Sequence, residues 1–163
     1  MFLQETVGLM LLSTDFWGGK MIIQYNVVGI PKAQARPKVF HRTLKNGKNF
    51  VSTYSPKTDW FHLVYTESLK QKYLLKNRLS CALRVILKFG MPIPKSISKK
   101  KREQLRYVTK KPDVDNLAKA VLDAINNVGL WEDDSQIAEL EVSKVYEEEP
   151  GCLITIMELK NGD

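Results

Sequence analysis

The stretch Lys110-Lys111-Pro112-Asp113-Val114-Asp115-Asn116-Leu117-Ala118-Lys119-Ala120-Val121-Leu122-Asp123-Ala124-Ile125-Asn126-Asn127 decides the reading of the fold. Leu117, Ala118, Val121, Leu122 and Ile125 recur at helical spacing on one face, which predicts a helix over residues 116–127. Gly129 stands just beyond, where a left-handed residue often ends a helix. Downstream, residues 137–146 and 152–159 read as strands. The acidic turn Glu147-Glu148-Glu149-Pro150-Gly151 joins them, and their adjacency favours a hairpin. Upstream, residues 22–28 form a strand that breaks at Gly29-Ile30-Pro31. Residues 31–42 are a basic loop or irregular edge, Asn46-Gly47 is a hairpin turn, and residues 50–54 are the return strand. Trp60, Leu63, Val64, Leu69, Tyr73 and Leu74 mark a second helix from Thr58 or Asp59 to about Arg78, and residues 81–89 alternate as a strand. The order β, β, α, β, α, β, β predicts an α+β fold: a single mixed domain with helices packed on a β-sheet. A length of 163 residues suits one such domain.

Charge divides the chain more sharply than its net +7 suggests. Residues 1–112 hold 22 Lys+Arg against 5 Asp+Glu, a net of +17; residues 113–163 hold 3 against 13, a net of −10. A basic body implies a polyanionic partner, because neutralised phosphates release their condensed counterions. The acidic block calls for a cation nearby, either a metal or the basic half itself. No uncharged apolar run reaches the ~18 residues of a spanning helix, so no membrane partner is expected. Cys81 and Cys152 lack metal-ligand spacing and form no disulfide framework, so the expected location is cytoplasmic. Residues 1–20 carry only the acids Glu5 and Asp15 before Lys20, unlike a signal peptide. Met21 directly precedes the first strand, and the reading is of a domain over 21–163 with residues 1–20 an N-terminal extension; an ordinary first helix is the alternative.

The chemistry concentrates in the opening stretch. After Pro112, extended backbone would place Asp113 and Asp115 on one side with Val114 pointing to the core, and Asp115 or Asn116 would cap the helix. Paired carboxylates repel unless a cation joins them, and oxygen ligands suit Mg²⁺, with Mn²⁺ as the substitute. Lys119 follows Asp115 by four residues and returns to its helix face. Trp131-Glu132-Asp133-Asp134-Ser135-Gln136 supplies further acids before a strand. Each piece alone is commonplace as a cap, a turn or a surface acid. Together they are the inventory for metal-assisted phosphodiester hydrolysis.

The run Lys111–Asn126, with Gly129-Leu130-Trp131-Glu132-Asp133-Asp134-Ser135-Gln136-Ile137, closely resembles the RusA family of Holliday junction resolvases. The strong match spans residues 111–144, with weaker support from residues 22–37. The resemblance implies a small Mg²⁺-dependent endodeoxyribonuclease, often prophage-encoded, acting as a homodimer on four-way DNA junctions. By position it implies Asp113, Asp115 and Asp134 as catalytic metal ligands and Lys119 as the catalytic lysine. Asp133 also matches, but a helper or turn role suits it better, and Asp123 is as readily structural. The expected nucleic-acid contacts are Lys32, Arg36, Lys99, Lys100, Lys101, Arg102, Lys110 and Lys111. The function expected is resolution of four-way junctions by paired symmetric nicks. Two alternatives stay open: a non-catalytic basic nucleic-acid-binding module, and a nuclease for other branched DNA.

Overall fold

The computed structural model describes residues 19–75, 77–102 and 104–159, with the side chains of Met21, Lys99 and Lys100 outside that set. Of the extension expected over residues 1–20, residues 1–18 lie outside the described residues. The main sheet has four strands in the order β1-β6-β4-β5: β1 is Gly19–Val28, β4 Leu83–Pro92, β5 Ile137–Glu147 and β6 Gly151–Leu159. β6 lies antiparallel to both β1 and β4, and β5 runs parallel to β4. The alternation in β4 explains its central place. Leu83, Val85, Leu87, Phe89 and Met91 are all buried on one face, while Arg84 and Lys88 look the other way.

Two helices supply the rest of the core. In α1 (Asp59–Leu74), Thr58 Oγ1 accepts the Phe61 N–H at 3.2 Å as the N-cap, and Trp60, Phe61 and Val64 are buried. In α3 (Val114–Val128), Leu117, Ala118, Val121, Ala124 and Ile125 form the strongly amphipathic buried stripe. Both helices share one apolar cluster with Val27, Leu87 and Ile154 of the sheet. A four-residue helix, α2 (Lys99–Arg102), interrupts the long basic connection before α3.

Three sequence expectations change. The strands at 137–147 and 151–159 do not form a hairpin, because β4 lies between them. β4, α3 and β5 instead make a parallel crossover, which needs a helix-length connection. The turn after β5 must therefore step across the end of β4. Gly151 permits this, since a Cβ there would sit 2.6 Å from the Val27 carbonyl oxygen. α1 ends at Leu74 rather than near Arg78: Leu75 is extended, and Leu79 makes an isolated parallel bridge to Trp131. The basic loop at 31–42 is partly a strand. β2 (Lys38–Thr43) pairs with β3 (Asn49–Tyr54) in a separate two-stranded sheet. Its loop closes through Leu44 N–H to Lys48 O at 2.9 Å and Gly47 N–H to Leu44 O at 2.8 Å.

Candidate active site

The helix that carries the acids starts earlier than expected. Asp113, in extended backbone, is the N-cap of α3, so Val114 and Asp115 are already helical. Val114 is 40% exposed rather than in the core, while Asp113 and Asp115 border one open hollow. Asp113 makes no side-chain capping bond, which leaves its carboxylate unspent on the helix. The first three N–H groups of α3 have no intrahelical acceptor, since Leu117 is the first to reach back, to Asp113 O at 3.1 Å.

Asp115, Lys119 and Asp123 follow at four-residue steps along one stripe of α3. They border an open groove of ≈ 400 Å³ together with Asp134, its apolar wall being Leu140 and Val142 of β5. A second open hollow, ≈ 550 Å³, adjoins it across Val114, Asp115 and Val142. Asp113 lies there with Tyr107, Lys110 and Lys144. Asp115 thus faces both spaces. Asp113, Asp115, Lys119 and Asp134 are all exposed, and among the described residues none of them forms an ion pair.

Asp134 is delivered by a rigid turn. It opens a short 3₁₀ segment, Asp134–Gln136, capped by Asp133, whose Oδ1 accepts the Ser135 N–H at 2.8 Å. Gln136 Oε1 reciprocates by accepting the N–H of Asp133 at 3.0 Å and of Glu132 at 2.8 Å. Its Nε2 donates to Leu79 O and Cys81 O at 3.2 and 3.0 Å, tying the turn to the strand end. The hydrogen bonds from Ser135 hold the Asp133 carboxyl below the usual carboxylate range. Asp133 is thus occupied by the turn, and Asp134 is left free to face the groove.

Among the described residues, no three metal-ligating side chains close around a single point. The donor chemistry nevertheless fits a hard divalent cation. Asp115 and Asp134 offer carboxylate oxygens to one groove, and Mg²⁺ commonly takes one or two protein carboxylates while keeping water and substrate phosphate.

A family model described as Endodeoxyribonuclease RusA matches residues 29–157, from the end of β1 through most of β6. The chain belongs to the RusA endodeoxyribonuclease family. It is also similar to the Uncharacterized protein YqaN of Bacillus subtilis (strain 168), at 36% identity over 143 residues, covering 84% of this chain and 96% of that one. RusA membership makes the protein a DNA-cutting hydrolase of a metal-dependent family that acts on branched DNA junctions. Among the described residues, no helix is long and apolar enough to cross a membrane.

The basic residues expected on DNA occupy different settings. Lys32 pairs with Asp59 at 3.3 Å, at an exposed site where such pairs contribute little. Arg36 is exposed just before β2, and Lys110 and Lys111 are exposed at the entry to α3. Lys101 is exposed on α2, whereas Arg102 is half-buried and donates from Nε to Ile97 O at 3.0 Å, bracing its own loop. Lys99 and Lys100 lie on α2, but their side chains are outside the described set.

Sequence reasoning missed Lys144. From β5 its Nζ donates to Lys110 O at 2.7 Å and Pro112 O at 2.6 Å, clamping the segment that launches α3 in this RusA chain. The Lys111–Pro112 peptide inside this segment is cis. The N–H of Val108 donates to Lys144 O at 3.2 Å, and that of Tyr146 to Arg106 O at 2.9 Å, so the chain before the acids is also stitched to β5. The one available signal was a lone lysine amid acids in a strand, which by itself means little.

Proposed function

We propose that this protein resolves four-way DNA junctions by paired, Mg²⁺-dependent nicks, working as a homodimer. The observation that carries the reading is the one groove shared by Asp115, Lys119 and Asp134, next to the hollow of Asp113, in a chain whose first 112 residues carry a net charge of +17. In this reading Asp115 and Asp134, with Asp113 from the adjoining hollow, hold the cation. Bound Mg²⁺ supplies positive charge to the scissile phosphate and acidifies water at neutral pH. Lys119, one turn along α3 from Asp115, donates to a phosphate oxygen or to the leaving 3′ oxygen as charge builds there. The open N-terminus of α3 directs N–H groups and positive dipole toward the same phosphate. Water attacks phosphorus from the side opposite the leaving oxygen. Two-fold pairing of chains supplies two such sites, matching the two-fold symmetry of the junction.

The test compares a synthetic four-way junction with a linear duplex of the same arm sequence, with Mg²⁺ or EDTA, for wild type and Asp115→Asn. Paired nicks in the junction alone are expected, abolished by EDTA. They should fall by about 10²-fold or more in the variant, the scale of losing one charge-stabilising group. Junction binding without cutting in any divalent metal would sink the reading and leave a binding module.

A further inference from the structure

The β2–β3 hairpin stands apart from the sheet. Among the described residues no other strand pairs with it, and every residue of both its strands is exposed. Register and alternation sort its side chains. Lys38 lies opposite Tyr54, Phe40 opposite Ser52, and Arg42 opposite Phe50. Cross-strand partners share a face, so Tyr54, Phe40 and Phe50 line one face interleaved with Lys38 and Arg42. The opposite face carries Thr43, whose Oγ1 donates to Asn49 Oδ1 at 3.0 Å, as this register requires. The three aromatics are 53–58% exposed. Large apolar groups gathered in the open mark a surface that meets something.

Charge says what. Between Asp15 and Asp59 the chain has no Asp or Glu, while it holds eight Lys and Arg. Position says where. The root of the hairpin, at Gln34, Ala35, Ser55 and Pro56, packs over Asp123 and Asn127 of α3 around a pocket of ≈ 100 Å³. Lys57 Nζ adds a hydrogen bond of 3.4 Å to Asn127 Oδ1. Asp123 also borders the groove of Asp115, Lys119 and Asp134, so the arm is rooted on the catalytic helix beside the site. Six-residue strands carry its tip roughly 20 Å from that root.

We propose that this arm is the element that recognises branching: Phe40, Phe50 and Tyr54 stack on bases unpaired or exposed at the DNA crossover, while Lys38 and Arg42 hold the flanking phosphates. Aromatic rings stack on any base, and cations between them meet the backbone, so the face suits open bases and has nothing to read inside a closed duplex. The inference rests on branched DNA being the substrate, and its test is arranged to fail separately.

Binding is measured in EDTA, where nothing is cut, by anisotropy on a four-way junction and on a linear duplex, with 2-aminopurine at the crossover of the junction. For Phe40→Ala/Phe50→Ala we expect junction affinity to drop about tenfold or more, duplex affinity to change less than twofold, and the 2-aminopurine response seen with wild type to vanish. An unchanged junction affinity would overturn the proposal. So would equal losses on both DNAs with the sedimenting species falling from dimer to monomer, because the face would then be covered by a second copy. An unchanged melting temperature verifies the fold. If wild type binds and reports at the crossover yet never cuts it with Mg²⁺, the functional reading fails and the arm assignment stands.

Discussion

The body and the arm of this molecule follow opposite rules. In the body, the acids stand on elements over-determined by packing: α3 is sealed into the core by seven buried apolar residues, and the Asp134 turn is tied down by Gln136 and Trp131. In the arm, two strands hold each other through backbone hydrogen bonds and one short loop, with no residue of either strand buried. An isolated hairpin of this kind is marginal by itself. The contrast teaches how a small nuclease divides its labour. Chemistry needs carboxylates fixed to fractions of an ångström, which packing provides. Recognition of a mobile branched polyanion tolerates, and is served by, an element free to adjust.

The sharpest way to break this contrast is to empty one side chain from each region. Trp131 is fully buried and its Nε1 donates to Asn126 Oδ1 at 3.2 Å. Trp131→Ala should lower unfolding free energy by about 3–5 kcal/mol, a large share of what a domain of this size has. Phe40→Ala, in the arm, should stay within about 0.5 kcal/mol. Denaturant melts of both variants check this, and a comparable loss in each would mean the arm belongs to the core.

A smaller effect tests how the body holds its site. Lys144→Met removes two charge-assisted bonds to carbonyls and should cost about 1.5–3 kcal/mol. Because Lys144 acts through the Asp113–Asp115 segment, junction cleavage should lose kcat far more than KM. Lys144→Arg should restore part of it. Loss of stability with unaltered kcat would make the lysine structural only.

The smallest effect lies in the turn. The folded Asp133 carboxyl is held low by Ser135, so the unfolded chain binds its proton at higher pH than the folded one. The stabilisation is complete above the ordinary carboxylate pKa and is lost as pH falls through the depressed folded value. Asp133→Ala should therefore melt slightly below wild type at neutral pH, and the gap should close on acidification. A gap that widened toward low pH would mean the cap is not what Asp133 contributes.

What lay in the sequence was whatever depends on near neighbours. The apolar stripe of α3, its Gly129 terminus at φ 69°, the Asn46-Gly47 turn and the four-residue step from Asp115 to Lys119 are all short-range patterns, and each is present in the structure. The mixed α+β class followed from their order. The same local logic erred where two residues of helix onset mattered: starting α3 at Val114 rather than Asn116 turned Val114 outward. Long-range pairing was not legible. Nothing in the two final strands says that β4, some fifty residues upstream in the chain, inserts between them. Nothing near Lys144 says that its ammonium reaches back 34 residues to Lys110, and nothing near Asp134 places it on the groove of Asp115. Side-chain periodicity is written into the chain because backbone geometry repeats every two or 3.6 residues. Which strands share an edge is settled by burying the whole core at once, and that only the tertiary structure decides.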